Sequence, residues 1–145
     1  MSHHPDLSTN PQTGETYVGW LDLSVPFPTG PVSPHLLERL ETVAAHHVLQ
    51  TRGFHPCPFC TDHRSTRIPP ATEYIDTSGE TRLLGSAEMR VIPKDGGPIF
   101  AAPNLVLHYI AVHTYLPPKP FLDALESCAL PGEPAFSAAL RPIWQ

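Results

Sequence analysis

Two cysteines stand two residues apart in Cys57-Pro58-Phe59-Cys60, and two histidines stand five apart as His108 and His113. A C-x-x-C turn can present two thiolates to one metal, with backbone N–H groups pointing at the sulfurs. Zinc accepts sulfur and imidazole nitrogen and prefers four such ligands in a tetrahedron. The H-x4-H spacing lies within the window that Cys2His2 sites use. On an ideal helix, five steps place the two rings roughly 140° apart. A single ion therefore requires the helix to tighten or unwind near His113, and Pro117-Pro118 beyond it makes such a break natural. Together, Cys57, Cys60, His108 and His113 are read as the ligands of one structural Zn2+. His55 and His63 flank the knuckle; either is a candidate to replace a helix histidine, or His55 to orient a ligand from outside the coordination sphere.

Other chemistries for the same residues fit less well. A thioredoxin-type redox pair opens a helix, whereas Thr-Asp-His-Arg-Ser follows Cys60. Zinc deaminases pair P-C-x-x-C with an upstream H-x-E, and that half is missing. H-E-x-x-H, G-x-S-x-G, P-loop and dinucleotide fingerprints do not occur. No catalytic residue is assigned. The alternative is a small zinc hydrolase with three protein ligands plus water, for which Glu88 or His55 would be the neighbouring base. Glu88, however, alternates with Met89 and is expected on a solvated strand face.

The elements that must position the four ligands follow from pattern and punctuation. Tyr17–Leu23 (YVGWLDL) reads as a strand. Ser33-Pro34 is an N-cap followed by proline at the first helical position. Leu36, Leu37, Leu40, Val43 and Ala44 then recur at helical spacing, with Glu38, Arg39 and Glu41 on the opposite face. The predicted helix runs from about 34 to 47 and carries His46 and His47 in its last turn. Thr72–Asp76 is a strand candidate with a Ser78-Gly79 turn. Ser86–Ile92 alternates, Lys94-Asp95-Gly96-Gly97 is a hairpin turn, and Ile99–Ala101 returns. Pro103 is expected to open the ligand helix, with Leu105, Val106, Tyr109 and Ile110 on its apolar face. A third helix is expected from near Pro118 to near Pro131, with Cys128 a buried thiol on its apolar side. Trp144 is assigned to packing.

The sequence thus predicts an α+β domain with a small antiparallel sheet and about three helices. Knuckle, β-hairpin and helix follow in the order of a treble-clef-like zinc module. Residues 1–15 are polar, with Pro5, Pro11 and Gly14, and read as a disordered tail; residues 16–145 form a single zinc-stabilised domain. The 145-residue chain has 19 prolines, so short elements and stiff loops are expected, and a metal staple suits such a domain. The net charge of −5 and only nine scattered Lys and Arg argue against nucleic acid. No apolar run is long enough to span a bilayer and no signal peptide is evident, so no membrane role is expected and the cytoplasm is the expected compartment. An odd cysteine count does not suit a secreted disulfide framework.

Four stretches, VGWLDL with PFPTG, TRGFHPCPFC, GSAEMRV and AAPNLVLHYIAVHTYLPPKPF, cover most of the chain from Tyr17 to about Leu125. In order and spacing they resemble a family of small uncharacterised bacterial proteins. Its pattern is T-R-G-F-H-x-C-x-x-C, then G-x-x-E-[IM]-R-V, then A-A-P-x-L-x-x-H-Y with H-x-Y-x-P-P. The resemblance implies that Cys57, Cys60, His108 and His113 occupy motif positions, as do Arg52, His55, Glu88 and Arg90. It implies a shared site without naming a reaction. The expected role is a cytoplasmic binding or adaptor module with a protein partner.

Overall fold

The computed structural model describes residues 3–60 and 71–140. Among these, the elements run β1 (Thr16–Tyr17), α1 (Pro34–Ala44), β2 (Thr72–Ile75), β3 (Thr81–Leu84), β4 (Glu88–Val91), β5 (Phe100–Pro103), α2 (Val106–His113), α3 (Lys119–Ser127) and α4 (Pro134–Leu140). The α+β class is as the sequence predicts, with four helices rather than three. His63 and Trp144 lie outside the described residues.

Helix α1 starts where Ser33 Oγ accepts a hydrogen bond from the Leu36 amide at 3.2 Å, with Pro34 in the first turn. It ends at Ala44, so His46 and His47 lie beyond it. His46 instead packs edge-on against Phe136 of α4, ring centroids 5.0 Å apart. The face expected to be solvated is partly buried. Glu41 accepts hydrogen bonds from the Tyr74 hydroxyl and from the Thr77 backbone and hydroxyl, the last at 2.7 Å. Arg82 donates to the Glu41 carbonyl at 2.7 Å and to Asp76 at 2.9 Å. These contacts clip the β2–β3 hairpin onto α1. Arg39 also turns inward, donating to the Leu125 and Cys128 carbonyls at the end of α3. Cys128 is fully buried there, as expected.

One sheet is mixed and the other antiparallel. β4 and β5 form the expected hairpin around Lys94–Gly97, paired antiparallel from Glu88↔Pro103 to Val91↔Phe100. β1, Thr16–Tyr17, shares only Tyr17 with the predicted strand Tyr17–Leu23 and pairs parallel with β5. β2 and β3 form a separate antiparallel ladder. Pro103 ends β5 instead of opening α2, because Asn104 turns back: its side-chain carbonyl accepts from the Gly85 amide at 2.8 Å and its own amide donates to Ala87. The core comprises Val18, Leu40, Val43, Met89, Val91, Phe100, Leu105, Val106, Leu107, Tyr109, Tyr115, Phe121 and Leu125. Each fully buried aliphatic or aromatic side chain contributes roughly 1.5–3 kcal/mol.

Residues 3–15 pack on the domain, unlike the tail the polar composition suggests. Asp6 accepts from the Gly19 amide at 3.0 Å and from the Tyr115 hydroxyl at 2.6 Å. His4 stacks on Tyr17 at 3.8 Å. Glu15 is buried and pairs with Arg90, which in turn reaches Glu88 at 2.8 Å. The Glu88–Arg90 face of β4, expected to meet solvent, is therefore covered by the N-terminal segment at Arg90 and half-open at Glu88, and only the Met89–Val91 face matches its predicted role.

Candidate metal centre

The knuckle is delivered by a chain segment that runs along the start of β4. Val48 and Glu88 exchange backbone hydrogen bonds at 2.8 and 2.9 Å, Thr51 donates to the Ser86 carbonyl at 2.7 Å, and His55 donates to the Gly85 carbonyl at 2.9 Å. At Gly85 φ is +110°, and a Cβ there would stand 2.3 Å from the His55 carbonyl oxygen. Only glycine permits this approach. The knuckle is then fixed from the other side by Phe59. Its ring meets Tyr109 and His113 of α2 at 5.7 and 5.6 Å and Phe27 at 5.2 Å.

Helix α2 holds His108 in its interior and ends at His113. Thr114 adopts the left-handed conformation, φ +55°, and its amide closes back on the Tyr109 carbonyl. This is the helix break that two rings five residues apart require. It is stabilised from outside, since Gly30 donates to the Thr114 carbonyl and Leu116 donates to that of Pro28, each at 3.0 Å.

The outcome is convergence. One donor atom from each of Cys57, Cys60, His108 and His113 lies within 4.8 Å of every other. Sulfur–nitrogen separations are 3.4 Å from Cys57 to His113, 3.2 Å from Cys60 to His108 and 3.6 Å from Cys60 to His113, all through Nε2. A tetrahedral ion with bonds of about 2.3 Å to sulfur and 2.0–2.1 Å to nitrogen would set sulfur and nitrogen about 3.5 Å apart. The donor set and its spacing fit a metal ion. Cys57 and His108 are almost fully buried, at 2% and 6% exposed. Burial, followed by the neighbouring Cys60, pushes the Cys57 thiol up to about 11. Burial, followed by His113, lowers His108 to about 4. The Tyr109 hydroxyl, next in sequence to His108, is buried without a hydrogen-bond partner among the described residues.

His55 is exposed and lies outside the cluster, its backbone amide bonded to the Gly85 carbonyl. His55 and Glu88 line a cavity to which none of the four donors belongs. Sequence reasoning missed Glu15 and Glu41 as buried carboxylates, the half-buried Asp6 that anchors the N-terminal segment, and the positioning role of Gly85. The glycine in GSAEMRV was the one visible signal, since an isolated glycine beside a strand marks a close backbone approach.

Fold and site together define a small α+β domain that brings two cysteines and two histidines close enough to hold a metal ion. The chain belongs to the family described as Domain of unknown function (DUF7919), which residues 2–126 match. No curated protein and no solved structure matches it. Among the described residues, no helix is long and apolar enough to cross a membrane.

Proposed function

We propose that this protein binds one zinc ion through Cys57, Cys60, His108 and His113, and that the ion is structural. The mutual spacing of two sulfurs and two imidazole nitrogens carries this reading. Two thiols favour zinc over the hard cations, which take oxygen. A catalytic zinc keeps an open position beside a base. Here four protein donors complete the set, while Glu88 and His55 belong to a different cavity, so the structural role is favoured over a hydrolase. The ion would tie the 48–60 segment to α2, each of which is already braced by other contacts.

The wider role we infer is that of a binding or adaptor module for a protein partner in the cytoplasm, whose reducing conditions suit unpaired thiols. Ile75 and Leu83 support a protein surface. They lie on the same outward face of the β2–β3 hairpin, and Ile75 is 70% exposed. The acidic balance favours a protein over nucleic acid.

Elemental analysis of the purified protein, with thermal melting in the presence and absence of a chelator, tests the zinc reading. One equivalent of zinc is expected, with a melting temperature lowered by at least about 10 °C on chelation; free energies of structural zinc sites, about 10 kcal/mol in finger peptides, allow more than this. Cys57→Ser and His108→Gln should each abolish stoichiometric zinc. Protein free of zinc after expression in zinc-supplemented medium, with chelator-insensitive melting, rejects the reading.

A further inference from the structure

The face of β4 opposite Met89 and Val91 carries Glu88 and Arg90. The N-terminal segment covers most of it but leaves a cavity of about 80 Å³ at its Glu88 end. Cavities of about 150 Å³ take a benzene ring, so this one, which is open to solvent on one side, admits about the last three or four non-hydrogen atoms of a chain whose remainder projects outward. Its walls are largely apolar, formed by Trp20, Leu49, Ala87 and Pro103. Its acidic group is Glu88, half-buried with a side chain 24% exposed. Glu88 Oε1 accepts from Arg90 Nη1 at 2.8 Å, and Arg90 Nε is committed to Glu15. Two carboxylates thus share one guanidinium, and among the described residues the group carries a formal excess of one negative charge. Burial raises the Glu88 carboxyl pKa accordingly, against the pull of Arg90.

A second observation points to the same cavity. Leu49 has φ +50°, which leucine rarely adopts, and its side chain is 52% exposed at the cavity wall. The conformation is imposed from both sides, by the Val48–Glu88 backbone pair and the Thr51–Ser86 hydrogen bond. Strain of this kind persists where the surroundings over-determine it, and it clusters at ligand sites. The core gains little from holding a leucine half in solvent.

We propose that this cavity binds a primary alkylammonium group, its charge on Glu88 and its carbon chain against Leu49 and Trp20. An anion would meet the Glu88 carboxylate, the one acidic group of the lining. A bare metal ion would find one carboxylate and one imidazole, Glu88 and His55, which fall short of the three donors that a metal cluster needs among the described residues. A short aliphatic cation satisfies both the charge and the walls. The site is independent of the zinc reading, since none of the four donors lines it.

Butylammonium chloride titrated into the protein at neutral pH, followed by amide and indole NMR, provides the test, with 1-butanol as the neutral control of similar size. Saturable millimolar shifts centred on Trp20, Leu49 and Glu88 are expected, at least tenfold weaker for butanol and for Glu88→Gln. Leu49→Gly, which relieves the backbone strain and removes one wall, should fold at least as stably and bind at least fivefold more weakly. This variant keeps the test decisive if Glu88→Gln does not fold. A lysine carrying acetyl and amide caps is the second arm. Binding tenfold tighter than butylammonium assigns the site to a partner's lysine side chain, and equal or weaker binding assigns it to a free amine. Absence of saturation by either amine, or equal binding of butanol, overturns the proposal.

Discussion

With Cys57 raised to about 11 and His108 lowered to about 4, the metal-free cluster near neutral pH holds a protonated Cys57 thiol and a neutral His108 ring. A zinc ligand must be a thiolate, so the ion has to displace the Cys57 proton, whereas the His108 ring offers no competing proton above about pH 4. The sign follows: apparent zinc affinity falls as pH falls. A loss of at least about tenfold per pH unit is expected between pH 7.5 and 5.5, as one displaced proton requires. Competition against a chromophoric chelator of known pH dependence measures it. Away from the cluster, Glu15 and Arg90 form a buried pair, 5% and 3% exposed. Glu15→Ala would remove one buried carboxylate partner of the guanidinium and should cost about 3 kcal/mol in urea unfolding. Cysteine and histidine announce their chemistry by type, so the four residues that the fold brings together were legible in the sequence. Glu15 was not, because its partner lies 75 residues away and nothing local distinguishes it from a solvated glutamate.

Elements were legible where local chemistry decides them. Ser33 and Pro34 mark the start of α1, and the Lys94–Gly97 turn marks the β4–β5 hairpin. They were misread where tertiary burial overrides pattern. Arg39 and Glu41 occupy the polar stripe of α1 by periodicity, yet α3 and the β2–β3 hairpin fold over them. The α4 residues PAFSAAL lie beyond Pro131, where the last predicted helix stops, but Phe136 is buried against Ile92 and Ala129. The most sensitive join between elements is Gly85. Gly85→Ala combines a positive φ with a clash against backbone that has no room to yield, and should cost about 3 kcal/mol or more. Because Gly85 seats His55 two residues before Cys57, the same variant should also release zinc faster in the chelator assay. Unchanged zinc release would mean that the knuckle is held by Phe59 alone.

For the molecule as a whole, the donors come from two stretches of chain: Cys57 is 56 residues from His113, and Cys60 is 48 from His108. In a short zinc finger the ligands are close in sequence and the metal can organise an otherwise unfolded peptide. Here the hairpins and α2 must already be docked before the fourth ligand arrives, and long-range closure of this kind comes late in folding. Zinc present during refolding should therefore leave the folding rate within about twofold, while slowing unfolding by at least about tenfold, as expected of an interaction formed after the transition state. Stopped-flow refolding and unfolding, with and without the ion, separates the two arms. Such an ion would work as a latch and not as a nucleus: a newly made chain would reach its shape unaided, and its metal would govern how long that shape lasts.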